Sequence, residues 1–116
     1  MVRFEKKGWG KEIIWADTDL YCGKILEFEA GKKFSMHFHS DKDESWYVLS
    51  GKFMLRVIKT KDGSIREFTM ESGDTWRNLP LVPHQLICQE AGQIIEVSTK
   101  DSATDNYRVI PGDSQI

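Results

Sequence analysis

The chain has no long apolar run. No stretch approaches the roughly 20 apolar residues that a membrane helix needs, so no membrane span is expected. It also has no basic excess: 16 Lys and Arg stand against 18 Asp and Glu, a formal net charge of −2. That balance excludes the basic footprint of a nucleic-acid binder. Cysteine is scarce, and the two present, Cys22 and Cys88, form no C-x-x-C pair. A reduced, cytoplasmic chain is the simpler expectation, with a Cys22–Cys88 disulfide as the alternative. The first residues carry charge but no apolar stretch, so no secretion signal is expected. Helical periodicity is missing too, since no segment repeats apolar residues every 3.6 positions.

What the sequence does have is turns. Gly, Asp, Ser and Pro signals recur every eight to twelve residues, from Asp17-Thr18-Asp19 to Ala91-Gly92. Short runs rich in β-branched and aromatic residues lie between them. This spacing predicts an all-β sandwich or barrel. Strands are expected at 12–15, 21–29, 34–39, 46–49, 52–60, 64–70, 75–78, 84–89 and 93–99. Asp62-Gly63 suits a tight hairpin turn, because both residues tolerate positive φ. The tail after Lys100 is polar and is expected to pack loosely on the outside. At 116 residues a single domain over 1–116 is expected, with its core at about 20–100.

Histidine is the residue whose rarity is informative. All three histidines fall where one metal site needs them: His37 and His39 two apart, and His84 directly after Pro83. Residues two apart on a strand share a face, so His37 and His39 converge. Glu44 follows after a short loop and reaches back to the same point. Neutral imidazole offers a lone pair at neutral pH, and three imidazoles with one carboxylate suit Mn, Fe, Co, Ni or Zn. Such a set leaves open positions, as catalytic sites do. Parity extends the reading: Trp46 and Val48 point inward with Glu44, and Leu86 and Cys88 with His84. Met36 and Phe38 face away. Cys88 reads as a small buried thiol, or else as one lining the cavity. Arg77 and Arg108 are candidate anion binders, since a guanidinium fork suits phosphate or carboxylate. Asp41-Lys42-Asp43 reads as a solvated loop, and Asp105 as a partner for Arg108.

The series Gly31, His37, His39, Glu44, Gly51, followed by Gly73-Asp74 and Pro83-His84, resembles the two motifs of the cupin family. Leu79, Leu81 and Cys88 stand where that family usually has Pro, Gly and Asn. The resemblance implies a single-domain cupin β-barrel of jelly-roll type with one divalent transition metal on His37, His39, Glu44 and His84. Locally the chain is similar to the cupin domain of type II mannose-6-phosphate isomerases: at Trp9-Gly10, over Glu44–Gly51, at Ile95-Glu96-Val97, and loosely at Asp105–Arg108. That likeness implies isomerase or epimerase chemistry on a small sugar or sugar phosphate. The metal would polarise oxygens, Glu44 would carry a proton, and Arg108 would hold the phosphate. The alternatives are an Fe-dependent dioxygenase acting on a small molecule and a non-catalytic barrel that binds a sugar or carboxylate. A homodimer is expected, because Phe4, Trp9 and Trp15 lie outside the predicted core.

Overall fold

A computed structural model describes residues 2–116. Eleven strands form two antiparallel sheets. They are β1 (Arg3–Lys7), β2 (Gly10–Asp17), β3 (Cys22–Phe28), β4 (Met36–Phe38), β5 (Glu44–Val48), β6 (Lys52–Ile58), β7 (Ile65–Glu71), β8 (Thr75–Asn78), β9 (His84–Glu90), β10 (Gly92–Ser98) and β11 (Tyr107–Ile110). The six-stranded sheet runs β1-β2-β3-β10-β5-β8, and the five-stranded sheet runs β11-β4-β9-β6-β7. All nine strands expected from the turn spacing are present. The two terminal ones, β1 and β11, are additional. Both have exposed side chains over most of their length, so neither carries the apolar alternation that marks a strand in sequence.

Alternation decides which face is buried. In β6 every second residue, Phe53, Leu55 and Val57, is buried. These meet Leu26, Phe28, Trp46, Val48, Leu86, Cys88 and Ile94 between the sheets. Cys22 and Cys88 are both buried free thiols, and burial pushes both thiols up in pKa. Met36 is also buried, while Phe38 stacks on Tyr107 of β11. Trp9 departs from expectation: it is a core residue, stacked 4.4 Å from Phe28. A short turn returns the chain from β1 onto the sheet and folds the indole inward. Phe4 and Trp15 do lie exposed.

The β6–β7 turn is looser than a two-residue hairpin. Lys59 closes it, donating its N–H to Ser64 and accepting from Gly63. Only Gly63 takes positive φ there; Asp62 instead accepts from the Ser64 N–H and hydroxyl. On the outer face of the larger sheet, cross-strand partners form one apolar row: Phe4, Ile13, Ile25, Ile95 and Tyr47. Among the described residues no helix is long and apolar enough to cross a membrane.

Candidate metal centre

Strand register brings the histidines together. Across the five-stranded sheet, Arg108, His37, His84 and Val57 are successive cross-strand partners. Directly opposed residues share a face, so this row points into the interior. His39, two residues along, joins it. One ring nitrogen from each of His37, His39 and His84 lies within 4.8 Å of the others. Glu44 arrives from the facing sheet, its Oε1 3.2 Å from His84 Nε2.

Hydrogen bonds fix the tautomers. The Nδ1 of His37 lies 2.8 Å from the Ser35 carbonyl, that of His39 2.5 Å from the Asp105 carbonyl, and that of His84 3.0 Å from the Val82 carbonyl. A carbonyl oxygen can only accept, so each Nδ1 carries the proton and each Nε2 keeps its lone pair. Metal-binding histidines are oriented in the same way. Burial, then the neighbouring His84 and His39, push His37 down to about 3, and burial also lowers His39. Both rings are therefore neutral at neutral pH.

The residues fit a divalent cation. His84 Nε2 is buried without a hydrogen-bond partner. Its lone pair faces a carboxylate oxygen, which is repulsive unless a cation lies between them. Around the innermost part of the site, Glu12, Glu44, Glu96 and Asp101 are bridged by Lys24 and Lys42. His37, His39, His84 and Glu44 would hold the ion. Nothing in this N₃O donor set selects among Mn, Fe, Co, Ni and Zn.

Glu44 is held at both oxygens. Oε1 accepts from Asn78 Nδ2 at 3.0 Å, and Asn78 in turn accepts from Trp76 Nε1 at 2.9 Å. Oε2 lies 3.4 Å from Lys42 Nζ. Burial pushes the Glu44 carboxyl up in pKa, and the Lys42 ammonium pulls it down.

Lys42 corrects the expectation of a solvated loop. Its side chain is only 6% exposed and meets Glu96 at 3.0 Å, Asp101 at 3.1 Å and Glu44 at 3.4 Å. Burial pulls this ammonium down in pKa, but those three carboxylates raise it above its ordinary value. The tail corrects a second expectation. Asp105 does not pair with Arg108. Its carboxylate accepts from Ser40 N (2.6 Å), Ser40 Oγ (2.8 Å), Asp41 N (3.0 Å) and Lys42 N (3.1 Å). Burial works against ionisation, yet these donors hold the Asp105 carboxyl at about 2. One residue thus orients His39 through its carbonyl and shapes the loop into Glu44 through its side chain. Orphan N–H groups in that loop need an acceptor, and the tail supplies it.

The turn before His84 carries strain. Leu81 has φ 70°, alone among the described non-glycine residues. Glycine adopts this conformation freely, and a branched side chain does so at a cost of about 1–2 kcal/mol. The Leu81 N–H donates to the His39 carbonyl at 2.7 Å, and the next residue's carbonyl holds His84. The strained turn therefore ties two of the three imidazoles together.

A cavity of about 410 Å³ opens beside the histidines, with His37, His39, Glu44, Trp46, Glu96 and Arg108 among its walls. Arg108 shares the His37 face by register, and no carboxylate lies within ion-pair distance of it among the described residues. Arg77 is elsewhere. It sits on the outer face and grips Asp43 through two bonds of 3.0 and 2.6 Å, so it is not an anion binder for this cavity. Lys24 and Glu96 were given no role in the site from sequence, and Lys42 and Asp105 were given other ones. For Lys24 and Glu96 a signal existed: each is a charged residue at an inward parity position of an otherwise apolar strand.

Two facing antiparallel sheets with three histidines and a glutamate between them constitute the cupin fold. Solved structures of that fold superpose on this chain. An RmlC-like cupin from Shewanella frigidimarina matches with a TM-score of 0.74 and 23% identity over 90% of this chain and 88% of its own. Oxalate decarboxylase from Bacillus subtilis, a protein with Mn(II) centres, matches with a TM-score of 0.81 and 14% identity over 93% of this chain. The capsular polysaccharide assembling protein CapF from Staphylococcus aureus matches with a TM-score of 0.80 and 16% identity over 95%. This chain spans 30% and 33% of the lengths of those last two proteins. At such identities the likeness is one of fold. No protein-family model matches the chain, and no curated protein matches it in sequence.

Proposed function

We propose that this protein is a metal-dependent cupin that converts a small sugar or sugar phosphate by isomerase or epimerase chemistry, in the manner of the cupin domain of type II mannose-6-phosphate isomerases. The observation that carries the reading is the junction of two features in one cavity: the convergent histidines with Glu44, and the unpaired Arg108 on the same face. A divalent cation held there would polarise a carbonyl or hydroxyl oxygen. Arg108 binds an anionic group of the substrate at the cavity mouth by paired N–H bonds. The inner end of the cavity, at Glu44, Trp46 and Glu96, is buried, which strengthens electrostatic contacts there. CapF, whose role is capsular polysaccharide assembly, supports the sugar side of the reading, and the Mn(II) centres of oxalate decarboxylase support manganese as the first metal to try.

The test is anaerobic turnover of a panel of phosphorylated aldoses and ketoses with Mn, Co or Zn. Arg108→Ala is expected to raise KM for phosphorylated substrates by about 10–100-fold, the loss of one charge-assisted pair, with little change for unphosphorylated ones. Oxygen uptake with Fe(II) and a small organic substrate, without isomerisation, would reject this reading in favour of an oxygenase. The apolar row Phe4, Ile13, Ile25, Ile95 and Tyr47 is proposed as the contact between two copies. Light scattering should then give a dimer mass that Tyr47→Asp halves. A monomer mass for the unaltered chain rejects that contact.

A further inference from the structure

We propose that Glu96 is the proton-transfer residue of this site, held by Lys42 on the cavity wall one ammonium away from Glu44. The inference rests on the reading above that the cavity takes a carbonyl-bearing sugar. Strand β10 points Glu96 inward between the buried residues Ile94 and Ser98. Its cross-strand partners are Lys24 on β3 and Trp46 on β5, and all three line the cavity. Lys42 Nζ lies 3.0 Å from Glu96 Oε2 and 3.4 Å from Glu44 Oε2. Lys42 thus takes Oε2, while Oε1 has no hydrogen-bond or ion-pair partner among the described residues and is the oxygen left for a substrate.

The other inner carboxylates are committed. Glu44 is engaged at both oxygens, by Asn78 and by Lys42. Asp101 is clamped between Lys24 and Lys42, and Glu12 is paired with Lys24. Five charged groups face Glu96 or its partners: Glu12 on β2, Lys24 on β3, Lys42 before β5, Glu44 on β5 and Asp101 after β10. Burial, then the negative charge of Glu44, push the Glu96 carboxyl well above the ordinary range, against the pull of Lys42 and Lys24. A carboxyl that takes and gives a proton near neutral pH suits acid–base work.

The step balances without any added reagent. Glu96 removes the proton from C2 of an aldose, the C2–H pair becomes the C1–C2 double bond, and the carbonyl pair moves onto O1. The hydroxyl proton passes from O2 to O1. The O2 carbonyl then forms, the double-bond pair returns to C1, and C1 takes the proton from Glu96. The product is the isomeric ketose.

Glu96→Gln, nearly identical in shape, is the test, run on the full chain. Three measurements are made on it and on the wild type: divalent-ion content, carboxyl ¹³C NMR of the metal-free protein, and deuterium incorporation into mannose 6-phosphate and fructose 6-phosphate in D₂O. The variant is expected to keep the ion, to lose a glutamate signal that titrates near neutral pH, and to lose at least ~100-fold in exchange. Glu96→Asp should recover part of that exchange. All wild-type glutamate signals titrating below about pH 5, or exchange undiminished in Glu96→Gln, overturns the assignment. Wild-type protein that binds no divalent ion overturns the functional reading instead, a failure told apart by the metal content alone.

Discussion

His84→Ala is expected to abolish high-affinity divalent-ion binding. His84 is almost fully buried, its Nε2 lacks a hydrogen-bond partner, and its ring meets both His37 and Glu44. Removing it takes away the imidazole that links the two sheets at this point. Losing a group that merely orients a metal ligand costs about 10–100-fold in affinity, and losing a ligand should exceed that. Titration calorimetry with Mn and Zn on wild type and variant measures the difference. A second readout is thermal: excess metal should raise the melting temperature of the wild type and leave the variant's nearly unchanged, because only a ligand that binds the native state stabilises it. Wild-type stoichiometry in His84→Ala would show that the three imidazoles do not act as one site.

Lys42→Met is expected to cost more stability than any surface substitution. The methionine keeps the length of the stem and removes the charge. Glu44, Glu96 and Asp101 then face one another with their shared ammonium gone. Breaking a buried ion pair by deleting one partner costs about 3–5 kcal/mol. For a chain of this size that corresponds to a fall of roughly 10–20 °C in melting temperature. The pH dependence distinguishes this cause from simple misfit. Without Lys42 the inner carboxylates have folded-state pKa values above their unfolded ones, in the direction Glu96 already shows. Groups raised in this way favour the fold at low pH and lose that support as pH rises through the raised values. The deficit of Lys42→Met against wild type should therefore shrink toward about pH 4 and widen toward neutrality. A deficit that does not change with pH would place the effect in packing.

The three histidines and Glu44 were legible because metal chemistry restricts residue types and strand geometry restricts spacing. The same parity put Trp46, Val48, Leu86 and Cys88 in the core, where they are. Strands β1 and β11 were missed because both lie at sheet edges with most side chains exposed, where pairing rather than alternation defines a strand. Lys42 was misread for a related reason. A lysine between two aspartates has the composition of a solvated loop, and only the approach of Glu96 and Asp101 from distant segments makes it a buried counter-ion. Arg77 and Arg108 are indistinguishable by residue type. Register separates them, since Arg77 opposes Ser45 on the outer face and Arg108 opposes His37 on the inner one.

By itself the sequence determined the all-β class, the strand centres and the residues able to bind a metal. Turn residues, two-residue periodicity and ligand chemistry are local properties, readable without the rest of the chain. The tertiary structure alone decided which nitrogen each imidazole presents, which charges are buried together and which arginine reaches the cavity. Those outcomes depend on backbone carbonyls and side chains from distant segments, His39 and Asp105 being 66 residues apart and Lys24 and Asp101 farther still. Only closure of the two sheets on one another brings such groups within hydrogen-bond reach.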